Sequence, residues 1–137
     1  MQAEGQKNSL VRVLKDTEAN LLLISMRGTI GEEEALGLEA AILDSVRELR
    51  PGFGILNDMT LLERMDLSAA PAHNRIMDAC NSAGVTHVAR VFGDAEKDVG
   101  FNIMSYFHYD PTVVVRAYDT IADALHALLR TMRTDPR

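Results

Sequence analysis

The amino-acid sequence predicts an α/β protein with a mixed, mostly parallel five-stranded sheet and the element order β-β-α-β-α-β-α-β-α. Two short apolar segments come first, separated by the turn-forming residues 17–20, which indicates an antiparallel hairpin. Beyond them, short apolar segments alternate with longer segments of helical periodicity. Strands separated by helices favour right-handed crossovers and parallel pairing, so the hairpin adds one antiparallel strand to a parallel sheet.

The predicted strands are short and mostly apolar. Residues 10–16, LVRVLKD, alternate apolar and polar side chains, which is the period of a half-buried strand. Residues 53–59, FGILNDM, are mostly apolar, which is typical of a central strand buried on both faces. The five predicted strands cover residues 10–16, 21–28, 53–59, 86–94 and 112–119.

The predicted helices follow the hairpin and each of the last three strands. Acids crowd the first turn of the segment 31–49, where the helix dipole stabilises negative charge, and Arg-Pro-Gly at 50–52 ends that helix. Its apolar stripe consists of Ala35, Leu38, Ile42, Val46 and Leu49. The last helix opens with Thr120 and Asp123 in the spacing of a capping box. The four predicted helices cover residues 31–49, 68–83, 95–110 and 120–132.

The whole chain of 137 residues fits a single domain, with loose ends expected at 1–7 and 134–137. Its composition, 47% hydrophobic and 25% charged, is that of a folded globular protein. The single cysteine, Cys80, excludes an internal disulfide and agrees with a reducing compartment. Because residues 1–9 are polar and no apolar run approaches the roughly 20 residues that cross a bilayer, we expect a cytoplasmic protein without membrane insertion.

The charge of the chain argues against nucleic acid as a partner. The formal net charge is −6, and no block of Lys and Arg could displace counterions from a phosphate backbone. Aromatic residues make up 5% of the chain and include no Trp, which leaves few platforms for stacking bases. We therefore expect no nucleic-acid partner, and the same electrostatics disfavour an anionic membrane surface.

Metal and catalytic sites have little support in the sequence. Asp58, Glu63 and Asp66 could form an acidic cluster for Mg²⁺, but helix caps or solvated loop charges explain these residues better. The histidines, which show no zinc-binding spacing, are His73, His87, His108 and His126. His73 lies only five residues after Ser68 in the same predicted helix, so no nucleophile, base and acid assemble. We expect no enzyme activity, no metal and no cofactor.

Three segments carry a resemblance to a known family. In ILNDMTLLERMDLSAA, from Ile55, an apolar strand ends in Asp, and a short loop leads through a second Asp into a helix. VARVFGDAEKDVGFNIMSYF, from Val88, combines a strand with a helix, and VVVRAYDTIADALHAL, from Val113, combines a strand, a turn and a helix. Their order and spacing, over residues 10–129, resemble the STAS domain of bacterial anti-anti-sigma factors and of sulfate-transporter tails. The closer likeness is to the SpoIIAA-like, or STAS/SEC14-like, group of small bacterial proteins.

The resemblance singles out Ser68. In regulated family members a partner kinase phosphorylates the second Ser of Asp-Ser-Ser-Gly, and alignment on Asp66 places Ser68 at that position. Leu67 replaces the first Ser and changes the surface that a kinase would contact, and Ala69 replaces the more permissive Gly. From the residues alone, Ser68 is better explained as the N-cap of the helix at 68–83, with a phosphosite at the helix N-terminus as the second interpretation.

The resemblance also implies a non-enzymatic interaction module with a regulatory role, in the manner of anti-anti-sigma factors. Its partner would be a protein such as a kinase or an anti-sigma factor, and a second copy of the chain is another candidate. The expected docking surface joins the loop after the third strand to the helix at 95–109. Its residues are Asp58, Glu63, Asp66, Ser68, Phe101, Met104, Tyr106 and Phe107.

The alternative function is the binding of a small apolar, lipid-like ligand, as the SEC14-like relation suggests. It requires a pocket of a few hundred cubic ångströms between the sheet and the helix at 95–109. Apolar residues surround much of that helix, which is consistent with core packing, with a partner surface and with an apolar ligand.

Overall fold

The computed structural model describes residues 10–92 and 109–134, which form five strands and three helices in the predicted order, while most of the helix predicted between the fourth and fifth strands lies outside the described residues. The strands are β1 (Val11–Asp16), β2 (Leu21–Ile30), β3 (Gly54–Met65), β4 (His87–Phe92) and β5 (Val114–Tyr118). The helices are α1 (Glu32–Val46), α2 (Ala70–Ala83) and α3 (Ile121–Thr134), and a 3₁₀ turn, Leu67–Ala69, precedes α2. The predicted α/β class is therefore confirmed. Within the described ranges, no helix has both the length and the apolar composition needed to cross a bilayer.

The sheet has the strand order β1-β2-β3-β4-β5, so each strand lies beside its neighbour in the sequence. β1 runs antiparallel to β2, and the other three pairs are parallel. The predicted mixed, mostly parallel sheet with an opening hairpin is confirmed. Parallel strands bring their carboxyl ends to one edge of the sheet, which is the edge where such folds usually bind their ligands.

The hairpin turn is fixed by Asn20, which is buried and has a left-handed backbone with φ of 60°. Asn tolerates this conformation better than most residues do. Its Nδ2 donates a hydrogen bond to the Arg50 carbonyl at 3.1 Å, and its Oδ1 accepts one from the Arg50 N–H at 2.9 Å. These bonds attach the β1–β2 turn to the turn before β3 and brace the amino-terminal edge of the parallel strands.

β3 is longer than the sequence predicts. The predicted strand ends at Met59, whereas pairing with β2 continues to Met65. Two register shifts interrupt this pairing, one at positions 59–60 and one at Glu63, and at each of them β3 has one residue more than β2. Such β-bulges break the regular alternation of side chains. The sequence predicts a short loop directly after residue 59, and that prediction is wrong, because residues 60–65 continue the strand.

The sheet separates two apolar cores. α1 and α2 cover one face, where Ile24, Ile55 and Val88 are buried. α3 covers the other face, over Leu56 and Val91. Every residue of β4 is buried, because this strand lies between both helical layers.

The helix ends agree with simple capping chemistry. The N–H of Gly31, just before α1, donates to the Glu34 carboxylate at 2.9 Å. The Asp123 N–H donates to the Thr120 hydroxyl at 3.1 Å, so the predicted cap of the last helix is confirmed. The predicted apolar stripe of α1 faces the core: Ala35, Leu38, Ile42 and Leu49 are buried, and Val46 is half-buried.

Candidate functional site

The candidate site lies where β3 passes into α2, at the edge formed by the carboxyl ends of the strands. Within the described residues, β4 pairs with β3 as far as Met59, whereas residues 60–65 of β3, which we call the projection, continue beside β2. We define the rim as four exposed residues of this projection and of the turn that follows it. They are Leu61, Glu63, Leu67 and Ser68.

A 3₁₀ turn joins β3 to α2 and anchors the rim. The Asp66 N–H donates to the Ile30 carbonyl at 2.9 Å, and the Ala69 N–H donates to the Asp66 carbonyl at 2.9 Å. Ala69 is fully buried, and the turn packs against α1. Leu67 and Ser68 are therefore exposed side chains on a backbone that is fixed at both ends.

Ser68 is not the N-cap of α2. The N-cap residue is Ala69, which makes no side-chain capping bond, and Pro71 stands in the first turn of the helix. Because the 3₁₀ turn begins at Leu67, the extended residue that precedes the helical backbone is Asp66, two positions before Ser68. The predicted capping role is wrong, and the Ser68 side chain lies at the surface.

Asp66 is half-buried and forms an ion pair. Its Oδ1 accepts a hydrogen bond from Arg64 Nε at 2.9 Å and a second one from a terminal nitrogen of the same guanidinium. Its Oδ2 lies 3.5 Å from the position that a Cβ on Gly31 would take. Gly31 is the N-cap of α1, where the helix dipole favours a carboxylate. The Asp66 side chain thus lies beside the start of α1, while its N–H bonds to Ile30 at the end of β2.

Asp58 lies on the other face of the sheet. It is in register with Ser25 and with Val91, and Val91 belongs to the core beneath α3. Its Oδ1 accepts hydrogen bonds from the Thr60 N–H at 3.1 Å and from the Thr60 hydroxyl at 2.8 Å. Since the 3₁₀ turn packs on the α1 side, the structure does not bring Asp58 together with Ser68, although the sequence analysis places both in one docking surface.

Glu63 occupies the second bulge and is exposed, so it lies in the rim with Ser68. Two leucines outside the predicted set of docking residues are exposed there as well: Leu61 by 66% and Leu67 by 92%. The signal for Leu67 is its place in the Asp-Leu-Ser segment, where the resembling family has a serine. Leu61 has no such signal, because the bulges hide the alternation that would place it outward.

The remaining predicted docking residues, Phe101, Met104, Tyr106 and Phe107, lie outside the described residues. Of the helix predicted at 95–110, the structure describes Tyr109 and Asp110, which are not helical. Tyr109 is buried, and its burial raises the pKa of the phenol. It contributes to the core beneath α1 and α2.

A cavity of about 40 Å³ lies between the sheet and helices α1 and α2. Its described lining is mostly apolar and includes the side chains of Asn57, His73, Arg90 and Tyr109. A lipid-like ligand needs several hundred cubic ångströms, so this cavity does not fit one. The pocket predicted beside the helix at 95–109 falls on a segment outside the described residues.

Nucleophilic chemistry at the rim finds no support in the described residues. His73 is buried on α2, and burial lowers its pKa to about 4. Cys80 is buried on the same helix, and burial raises the pKa of its thiol to about 12. Within residues 10–92 and 109–134, no three His, Cys, Asp or Glu side chains come together in a group that could hold a metal ion.

Comparison with known proteins identifies the class of fold. No family model matches the chain, and no curated protein matches it in sequence. An uncharacterized protein of the DUF3478 family with a SpoIIAA-like fold, from Shewanella loihica, superposes with a TM-score of 0.68 at 16% identity, over 86% of this chain and 91% of that chain. The anti-sigma factor antagonist SpoIIAA in its unphosphorylated form superposes with a TM-score of 0.61 at 13% identity, over 88% of this chain and 97% of that chain.

A third similar structure is a complex of the diguanylate cyclase SiaD with its activator SiaC from Pseudomonas aeruginosa. One of its chains matches with a TM-score of 0.54 at 14% identity, over 79% of this chain and 92% of that chain. At such low identities the likeness concerns the fold. The chain thus has the SpoIIAA-like STAS fold, and the resemblance predicted from its sequence is confirmed at that level.

Proposed function

We propose that this protein is a non-enzymatic, cytoplasmic regulatory module that binds a protein partner through the rim. The observation that carries the proposal is the 92% exposure of Leu67, directly before Ser68 on an anchored turn. Covering a leucine side chain stabilises a complex by about 1.5–3 kcal/mol. The neighbours support a regulatory role, since one is an antagonist of an anti-sigma factor and another is a cyclase complex with its activator.

The arrangement around Ser68 favours docking over catalysis. Ser68 is exposed in the 3₁₀ turn, whereas His73, five residues further on, is buried on the inner side of α2. A serine nucleophile needs a base within hydrogen-bond reach, and a buried imidazole on the core side does not provide one. The rim therefore offers apolar contact and polar groups, which are the components of a protein interface.

Ser68 is the position at which we propose that docking is regulated. A phosphate there would add about −1.5 to −2 charges and three acceptor oxygens directly beside Leu67. Those oxygens would have to lose water before a partner could cover the leucine, and Glu63 already contributes negative charge to the rim. Phosphorylation would thus weaken the apolar contact and release the partner.

Site-specific photocrosslinking in cells that make the protein tests the docking surface. A photoreactive amino acid replaces Leu67 in one variant, and it replaces Leu129, an exposed leucine on α3, in the control. We expect one discrete protein adduct at position 67, identified by mass spectrometry, and no such adduct at position 129. The absence of an adduct at 67, or the same adducts at both positions, would contradict the proposal.

Binding of the identified partner to purified variants tests the energetic role of the leucine. We expect Leu67→Ala to weaken binding at least about tenfold, because a truncated anchor residue typically costs more than 1 kcal/mol. Leu129→Ala should bind like the wild type. Equal affinities of all three proteins would show that the rim is not the interface.

Intact-mass analysis tests the regulatory position, with Ser82 as a matched control that is exposed near the other end of α2. Protein isolated from its own cells is expected to carry a fraction heavier by about 80 Da, the mass of one phosphoryl group. Ser68→Ala should lose that fraction, and Ser82→Ala should keep it. If Ser68→Ala keeps the heavier fraction, the phosphosite is elsewhere, while the docking proposal is unaffected.

A further inference from the structure

β1 forms one edge of the sheet, since among the described residues it pairs with β2 alone. Its alternate side chains Arg12, Leu14 and Asp16 are exposed, and Leu14 is exposed by 52%. Leu14 lies opposite Leu23 of β2, which packs against the core beneath α3, so all three side chains lie on the α3 face of the sheet. An edge strand carries unpaired backbone groups on its outer side and can pair there with another strand.

Hydrogen bonding within the hairpin determines which residues of β1 face this edge. The Arg27 N–H donates to the Leu10 carbonyl at 2.9 Å, so these residues form a hydrogen-bonded pair. Because hydrogen-bonded and non-hydrogen-bonded pairs alternate between antiparallel strands, every second residue from Leu10 onward directs its N–H and C=O toward β2. The residues between them direct these groups to the open edge. They are Val11, Val13 and Lys15.

Two copies of β1 can pair about a twofold axis, and the hydrogen bonds restrict where that axis lies. The outward-facing residues must lie opposite one another, which in an antiparallel pair requires the axis to pass through a residue. An axis at Arg12, Lys15 or Asp16 would place two like charges directly opposite each other, which destabilises a pair of strands. An axis at Val11 or Val13 would leave the charges of β1 without opposite counterparts.

The remaining position on β1 is Leu14, where the charges become complementary. We propose that β1 pairs with β1 of a second copy about Leu14, so that one sheet continues through a symmetric dimer. Arg12 of each copy then lies opposite Asp16 of the other, and the two Leu14 side chains cover each other. Both are non-hydrogen-bonded pairs, in which opposite side chains approach most closely. No rim residue lies on β1, so this proposal is independent of the docking proposal.

The other charged contacts of β1 are compatible with this register. Lys15 Nζ bonds to Glu48 of α1 at 2.8 Å, so the charge that Lys15 brings to the opposite face of the strand is already paired. Asp16 Oδ1 accepts hydrogen bonds from the N–H groups of Glu18 and Ala19 at 3.1 Å and 3.0 Å. A carboxylate has two oxygens with about four acceptor sites, so Asp16 can also accept from a guanidinium.

β5, the opposite edge strand, lacks this complementarity. It contains the exposed Arg116 and no acidic residue, so no register of β5 with a second β5 forms an ion pair within the strand. Arg116 therefore provides a matched control, since it is an arginine on an edge strand whose charge the proposed dimer does not use.

Sedimentation velocity of the full chain from about 5 to 500 µM, a range that brackets a weak dimer, tests the association. We expect a monomer–dimer equilibrium with a Kd of the order of 10–100 µM, because one pair of edge strands covers less area than a standard interface. A monomer at every concentration would overturn the proposal.

Charge reversal tests the register. Arg12→Asp and Asp16→Arg each place like charges opposite each other in their own dimers, so we expect each variant alone to dimerise at least about tenfold more weakly. An equal mixture of the two variants restores opposite charges at both pairs, and it should dimerise like the wild type. Arg116→Asp should also dimerise like the wild type. A mixture that stays monomeric, or an equal loss in Arg116→Asp, would overturn the proposal.

Leu14→Cys gives an independent test, should Asp16→Arg disturb the hairpin turn. The Cα atoms of a non-hydrogen-bonded pair lie about 4.5 Å apart, a distance that a disulfide spans. In the proposed register the two Arg12 positions are about 13 Å apart, so Arg12→Cys cannot form this bond. We expect mild oxidation to give a covalent dimer of Leu14→Cys in non-reducing electrophoresis. The absence of that dimer, or equal crosslinking of both variants, would contradict the register. Far-UV circular dichroism shows whether each variant is folded.

Discussion

At the scale of a single residue, the burial of His73 makes the stability of the fold depend on pH. Its side chain lies on the core side of α2, and burial lowers its pKa to about 4. In the unfolded chain the pKa of histidine is near 6.5, so below that pH the unfolded chain binds a proton that the folded protein does not. The stability due to this group is therefore complete above about pH 6.5 and is lost as the pH falls towards 4.

We predict that this one residue lowers the free energy of unfolding by up to about 3 kcal/mol between pH 6.5 and pH 4. Urea unfolding at several pH values measures the effect. His73→Gln should remove this part of the slope, whereas His126→Gln, which changes an exposed histidine of α3, should retain it. The same pH dependence in the wild type and in His73→Gln would contradict the prediction.

Cys80 shows the effect of burial on a thiol. Burial raises its pKa from an ordinary value of 9.0 to about 12, so at pH 8 its thiolate fraction falls on the order of 1,000-fold. We predict that iodoacetamide leaves native Cys80 unmodified over hours and modifies it fully in urea, as intact-mass measurement will show. Rapid modification of the native protein would mean that this side of α2 opens to solvent.

At the scale of elements, the end of α2 depends on a glycine. Gly84 has φ of 98°, and its N–H donates to the carbonyls of Cys80 and Asn81 at 3.1 Å. A Cβ at this position would come within 2.9 Å of Pro51 Cα. The left-handed backbone and the close turn before β3 therefore both require the absence of a side chain.

Gly37 is the matched opposite case, since it is exposed in the middle of α1 and a Cβ there would meet nothing within 4 Å. We predict that Gly84→Ala lowers the free energy of unfolding by about 2–3 kcal/mol through strain and collision. Gly37→Ala should raise it by about 0.5–1 kcal/mol through helix propensity. Thermal or urea unfolding measures both changes. Equal effects of the two substitutions would contradict the prediction that a side chain is excluded at Gly84 and accommodated at Gly37.

Some of the helices and strands could be predicted from the sequence and others could not. β1 and α1 are predictable because their periods are intact, and the cap at Thr120 follows from local spacing. The last six residues of β3 are not predictable, since two bulges interrupt their alternation of side chains. The 3₁₀ turn before α2 is not predictable either, because a turn of three residues is too short to show a period, and this turn is the reason that Ser68 is not the cap. Local patterns therefore specify regular elements and miss the irregular joints between them.

The candidate site is only partly predictable for the same physical reason. Glu63 and Ser68 are both exposed in the segment that the family resemblance singles out, but the face on which Asp58 lies depends on strand register. The exposure of Leu61 also depends on a bulge. The polar atom of His73 in the core has no sequence signal, because the residue stands at an ordinary inward position of a helix.

At the scale of the whole molecule, the described part of the chain has one apolar core on each face of the sheet. The core beneath α1 and α2 contains Ile42, and the core beneath α3 contains Leu128. β3 and β4 contribute side chains to both, with Ile55 in the first core and Leu56 in the second. Because the same strands contribute side chains to both cores, a loss of packing on one face of the sheet also destabilises the other face.

We predict a single cooperative unfolding transition in which both cores take part. Ile42→Ala and Leu128→Ala should each lower the free energy of unfolding by about 2–5 kcal/mol, since each side chain is at most 4% exposed. Urea unfolding followed by far-UV circular dichroism and by tyrosine fluorescence should give coincident curves for both variants. A biphasic curve for Leu128→Ala would show that α3 detaches on its own.

The two bulges of β3 have a consequence for how this fold can change in length. An insertion or deletion in a regular strand turns every later side chain to the opposite face. Here each bulge already holds a supernumerary residue, so removing Glu63 would leave Leu62 in the core and the Asp66 bond to Ile30 in place. The projection can therefore lose the extra residue of its second bulge without turning its later side chains to the other face.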